Sequence, residues 1–219
     1  MPIKKPIIER AAFQACTRLK NVTIPNGIQI IDESAFQGCT NLISINIPES
    51  VTSIKDAAFR ECTSLTSVTL PGSVEFISNQ AFSDCTSLTN ITIPKNVEEI
   101  GEDSFSGCTS LKSVIIQEGV KKIGDLAFEG CTNLSRIVIP ESVTEIGYFA
   151  FSGCDNLTDI TLPDHFSDYD LNRPSPQCQT ALSYRAYQAT EAIKQTTELF
   201  RELGFGQKKS IFDKFKGLF

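Results

Sequence analysis

The chain has 219 residues, of which 41% are hydrophobic and 21% charged, with a net charge of −6 and a pI near 4.9. That length supports one domain with a real core and a tail. The acidic balance gives no long-range attraction to nucleic acid and argues against that partner; no apolar run reaches the roughly 18 residues that a spanning helix needs.

The opening Met1-Pro-Ile-Lys-Lys-Pro is not followed by the apolar core of a signal peptide. The expectation is a protein that does not use the general secretory route, or one whose leader has been removed. From the first residues onward, a 23-residue period governs the chain. Cys16, Cys39, Cys62, Cys85, Cys108, Cys131 and Cys154 keep that step. So do Phe13, Phe36, Phe59, Phe82, Phe105, Phe128 and Phe151, and Leu19, Leu42, Leu65, Leu88, Leu111, Leu134 and Leu157. Pro25, Pro48, Pro71, Pro94, Pro140 and Pro163 follow it too, and Gln117 is the one replacement. The first unit begins partway, with Pro2 and Ile8 in register and Lys5 at a site that is apolar, mostly Val, in later units. Such self-similarity signals a solenoid, in which each unit buries its apolar face against the next.

Within one unit, Val68-Thr69-Leu70 alternates as a strand with one face buried. Pro71 has no N–H and ends the ladder there. Val74 and Ile77 turn inward on the return path, as a candidate second short strand. Ala81, Phe82 and Cys85 fit a single helical or 3₁₀ turn, because positions i, i+1 and i+4 share a face. Identical strands then stack as a parallel sheet spaced about 4.8 Å apart.

The recurring Ile-Pro…Val-x-x-Ile-Gly…Ala-Phe-x-x-Cys pattern, from Val22 to Leu162, resembles the BspA-like (treponemal-type) leucine-rich repeats. Gly101, Gly124 and Gly147 match it, whereas Asp32, Lys55 and Ser78 depart from it. The resemblance implies an α/β repeat solenoid: a right-handed superhelix with a parallel sheet on its concave face and a protein-interaction role. Family members are found as secreted, adhesin-like surface proteins and inside cells, so the resemblance does not fix the compartment.

The cysteine row reads as buried thiols, each behaving as a small hydrophobe with a weak donor. Disulfides cannot pair an odd row of seven fully, and zinc calls for close ligand pairs that the sequence lacks. The thiols favour a reducing compartment; the missing leader and the basic, apolar tail instead suit delivery to a host cell by a non-classical route. No cofactor or metal site is expected. The single histidine, His165, falls where the repeat decays and reads as a surface residue. No nucleophile elbow or phosphate loop appears, so the chain is not expected to be an enzyme.

Outward strand positions form three rows across the sheet. They begin at Lys20, Asn21 and Thr23 and recur every 23 residues, mostly as neutral β-formers. The exceptions cluster. Ile115 and Val138 set two apolar side chains side by side, Lys112 and Arg136 flank them, and Gln117 replaces the proline. An apolar pair rimmed by cations is a candidate protein-binding hot spot.

The solenoid is expected to span 1–163, followed by a linker over 164–176. Ser175-Pro176 suits a helix start, and a stripe from Leu182 to Leu203 predicts a long helix from 177. It would either cap the last repeat or pair with another copy. Beyond Gly204, Ile211, Phe212, Phe215, Leu218 and Phe219 share one face of a short helix ringed by lysines. Docking on the solenoid, binding a membrane surface, filling a partner's groove and serving as a secretion signal all suit this tail. The reading of the whole is a protein-interaction scaffold; a bacterial secreted effector or adhesin-like protein that engages host proteins is the alternative. The partner's identity and the oligomeric state do not follow from the sequence.

Overall fold

In the computed structural model, the structure describes residues 6–166. Their elements follow in chain order: β1 (Ile7–Ile8), β2 (Asn21–Thr23), β3 (Ile30–Ile31), β4 (Ser44–Asn46), β5 (Ser53–Ile54), β6 (Ser67–Thr69) and β7 (Phe76–Ile77). They continue with β8 (Asn90–Ile93), β9 (Glu99–Ile100), β10 (Ser113–Ile116), β11 (Lys122–Ile123), β12 (Arg136–Val138), β13 (Glu145–Ile146) and β14 (Asp159–Thr161), and close on a 3₁₀ turn at Asp164–Phe166. The two-residue strands stack as one parallel sheet of seven. The longer strands form the sheets β2-β4-β6 and β8-β10-β12-β14. The Thr89 N–H, which donates to the Thr66 carbonyl at 3.2 Å, carries the stacking from one to the other. Paired residues lie 23 apart throughout, as in Ile45↔Val68 and Val114↔Ile137, so each coil is one repeat. The chain is a parallel-sheet solenoid, and the return-path strand read from Val74 and Ile77 is β7 with its equivalents.

The α part of the α/β expectation is corrected at the Ala-Phe-x-x-Cys stretch, since no α-helix occurs among the described residues. A helix would send every N–H along its own axis. Here the N–H groups of Gln80, Phe82 and Asp84 instead reach the Glu102, Ser104 and Ser106 carbonyls of the next coil at 2.8, 2.8 and 2.7 Å. Those of Ala81, Ser83 and Cys85 turn back on Ser78, Gln80 and Phe82 at 3.3, 3.1 and 3.2 Å. This alternation forces left-handed backbone at two places per coil, such as Gln80 (φ +57°) and Asp84 (φ +58°). Glycine meets that demand at the second place in Gly38, Gly107, Gly130 and Gly153. Of the expected linker, 167–176 lies outside the described residues, as does the predicted helical segment 177–219.

The core is built from rows. Phe36, Phe59, Phe82, Phe105 and Phe128 are fully buried, and rings of neighbouring coils stack with centroids 5.1 to 5.6 Å apart. Offset stacking of this kind contributes beyond the area it buries. Each buried thiol donates to the phenylalanine carbonyl of the preceding coil. Cys62 Sγ lies 3.2 Å from Phe36 O, Cys85 Sγ 3.2 Å from Phe59 O, and Cys108 Sγ 3.3 Å from Phe82 O. The described cysteines are all free thiols. One core position breaks the pattern. Ser104 stands where the other six coils have Ala, is fully buried, and its hydroxyl has no partner.

Replacing Ser104 by Ala removes an unpaired buried hydroxyl at no packing cost, so urea unfolding should show a gain of about 1–3 kcal/mol. Phe82→Ala, in contrast, should cost about 3–5 kcal/mol by opening a cavity inside the ring stack. The thiols generate a second expectation. Burial holds Cys62 and Cys108 up at about 12, against the ordinary 9.0. Above pH 9 the unfolded thiols release protons that the folded ones keep, so stability falls as pH rises from 9 toward 12. Each of the two contributes up to about 4 kcal/mol to that loss. Urea midpoints measured from pH 8 to pH 11 should therefore fall less steeply when Cys62 and Cys108 are both replaced by Ala.

Candidate functional site

Alternation along the longer strands fixes what faces outward. In β6, Val68 is buried, whereas Ser67 and Thr69 are exposed; β12 repeats this with Ile137 buried between Arg136 and Val138. The five exposed large hydrophobic residues among those described are Phe13, Ile43, Phe76, Ile115 and Val138. Most stand alone. Ile43 sits in a row with Lys20 and Thr66. Phe76 belongs to the other sheet, and the Lys55 ammonium lies over its ring at 5.7 Å. Ile115 (59% exposed) and Val138 (43%) differ, because they are direct register partners on β10 and β12. They form an in-register apolar pair on a face whose outward rows are otherwise polar apart from Ile43.

Of the predicted site residues, Ile115, Arg136 and Val138 line one depression, whereas Lys112 and Gln117 are not part of its lining. Ser113 to Ile116 and Arg136 to Val138 line a shallow open depression of about 310 Å³. Lys112 directly precedes β10, is exposed, and makes no ion pair among the described residues. Arg136 is exposed, and its Nε lies 3.2 Å from Asp159 Oδ2 on β14. Asp159 escaped the reading of the sequence as a site residue. The signal was there, since Arg136 and Asp159 are 23 positions apart and therefore side by side. Phe76 was missed as well; its position is Ser53 and Glu99 in the flanking coils, and an isolated aromatic there marks no pattern.

Gln117 has a local structural task. Unlike proline it carries an N–H, which donates to the Ile93 carbonyl at 3.1 Å and carries the ladder one step further. β8 and β10 are accordingly four residues long, and β6 only three. The Gln117 side-chain Oε1 accepts the Lys95 N–H at 3.0 Å. Two residues on, Gly119 has φ +122°, and a Cβ there would run into the Lys95 carbonyl. The proline's replacement thus reinforces the strand under Ile115 and places a side-chain amide at the rim of the same coil.

The remaining candidates resolve differently. His165 makes its ring contact to the Val143 carbonyl at 2.8 Å and lies against Phe166, which packs on the core at the end of the stack. Among the described residues, no three His, Cys, Asp or Glu side chains come together as a metal site, and no helix is long and apolar enough to cross a membrane. The tail residues Ile211, Phe212, Phe215, Leu218 and Phe219 lie outside the described residues.

Comparison with known proteins completes the description. A model of the BspA type leucine rich repeat region, in six copies, matches residues 6–135 and 75–172. The crystal structure of a leucine-rich repeat protein from T. pallidum is 34% identical, over 69% of this chain and 71% of that one, with a TM-score of 0.61. A leucine-rich repeat protein from Bacteroides ovatus is 30% identical over 72% of this chain and 52% of that one, at a TM-score of 0.48. The pneumococcal vaccine antigen PcpA shares the fold at 22% identity and a TM-score of 0.50, over 68% of this chain and 40% of its own. No curated protein matches. The 23-residue coil, its stacked Phe and Cys rows and these matches make the chain a member of the BspA-type leucine-rich repeat family.

Proposed function

We propose that this solenoid is a protein-interaction scaffold and that the face around Ile115 and Val138 is where a protein partner binds. The observation that carries the reading is the exposed aliphatic pair, in register on adjacent strands, with Arg136 lining the same depression. Hot spots gather where apolar side chains can be fully dried by a partner inside a polar rim. Covering two partly exposed aliphatic side chains contributes on the order of 2–3 kcal/mol. Ser113, Ser135 and the rows toward β6 supply the uncharged surround. Membership of a repeat family that builds extended surfaces fits this use.

Because Ile115 and Arg136 point to solvent, their truncation leaves the core intact. A partner captured on the full chain, identified and purified, should bind the Ile115→Ala/Arg136→Ala variant at least tenfold more weakly by calorimetry. The variant's unfolding free energy from urea titration should stay within about 0.5 kcal/mol of the parent's, as for other surface changes. Equal affinity for the two proteins removes this face as the binding site.

A further inference from the structure

The cationic rim has an orientation as well as a sign. Asp159 contacts Arg136 through Nε, and neither Nη atom has a hydrogen bond among the described residues. The Arg136 side chain is 67% exposed. One carboxylate therefore already steadies the guanidinium from the side, and the fork of Nη donors is left for a second. A guanidinium fork matches the two oxygens of a carboxylate. Lys112, exposed and without an ion pair among the described residues, adds a second positive charge on the neighbouring coil. The chain as a whole is acidic at −6, but charges beyond about 8 Å are screened at physiological salt, so the local set, Lys112 and Arg136 against Asp159, weighs more than the net charge.

Resting on the interaction surface proposed above, we infer that the partner is an extended protein segment with an acidic and an aliphatic side chain two residues apart. The spacing comes from the site. Arg136 and Val138 lie two residues apart on one face of β12, as do Ser113 and Ile115 on β10. Two residues of strand span about 6.6–6.8 Å. An extended segment presents alternate side chains at the same interval, so its carboxylate meets the Arg136 fork as its next inward-facing residue covers Ile115 and Val138. The flatter polar rows toward β6 carry no cation that would hold such a carboxylate; Lys20 is six coils from Thr158 and lies at the far end.

Two capped decapeptides test this on the full chain. One alternates Glu and Val on a single face, with Thr between; the other has Lys in place of each Glu. Binding is read from the methyl resonances of Ile115 and Val138 and from the anisotropy of labelled peptide. The Glu–Val peptide should move both methyl signals and bind at least tenfold tighter than the Lys–Val peptide. Arg136→Lys, which keeps the charge and loses the fork, should weaken it severalfold, and added salt should weaken it further. Unchanged affinity on Arg136→Lys overturns the role given to the guanidinium. Tighter binding of the Lys–Val peptide at the same methyls overturns the acidic partner and leaves the surface itself standing. If neither peptide moves the methyls at millimolar concentration but the purified partner still needs Ile115 and Arg136, the extended segment is overturned. If that partner does not need them, the surface reading falls with it.

Discussion

Everything in this molecule depends on the requirement that each coil satisfy the next. The N–H groups of the Phe turn alternate, one donated within the coil and the next across to its neighbour. The thiol one turn further on donates back across the same gap to a phenylalanine carbonyl. An unpaired buried backbone group costs about as much as a lost hydrogen bond, so these bonds tolerate no change in coil length. That is why the 23-residue period runs from Ile7 to Thr161 without an insertion. The rows of Phe, Cys and Leu are consequences of it: atoms that must lie at the same height in every coil are most easily supplied by the same residue.

The same constraint explains what was legible in the sequence. Burial repeats, so Phe82, Cys85, Leu88 and Val74 announced the core by their spacing, and the strand at Val68 showed in its alternation. Hydrogen-bond direction does not repeat in any residue type that can be read. A helical turn and a turn that shares its N–H groups with a neighbouring coil bury the same Ala81, Phe82 and Cys85, and the sequence pattern fits both. The first left-handed φ falls on Gln80 in one coil and Leu126 in another, and neither residue advertises it, so that only glycine at the second place, in Gly38, Gly107, Gly130 and Gly153, left a readable trace. Even the cysteines were only half legible. Their burial followed from periodicity, but the S–H donation that makes a thiol more fitting than an alanine emerged from the stack.

The candidate surface follows the opposite logic. Outward positions are tied to the coils above and below only by side-chain contacts, such as Ser113 Oγ to Asn90 Oδ1 at 2.7 Å, and not by the packing of the core, so their identities vary more freely. Ile115, Val138, Lys112 and Arg136 could be found because they depart from a neutral background that the strand propensities already account for. Asp159 could not be found by departure alone, since a lone acid on an exposed strand is ordinary; its meaning comes from standing beside Arg136 at a fixed register. Gln117 illustrates the mixed case. It departs from the period, and the structure gives it backbone tasks that need not involve a partner.

A surface of this kind would lose little freedom on being covered, because it is already rigid. β-branched Ile115 and Val138 have few rotamers to lose, and the backbone beneath them is held on both sides by ladder bonds to β8 and β14. The Arg136 guanidinium is paired with Asp159 of the next coil. Ordering a free side chain at an interface costs about 0.5–1.5 kcal/mol, comparable to what one such contact returns. The extra ladder bond from Gln117 belongs to the same argument, because it stiffens the coil that carries Ile115 where the other coils end in proline. In a solenoid whose length and spacing are dictated by stacking, the quantity stacking leaves most open is which outward side chains stand together, and how firmly they are held.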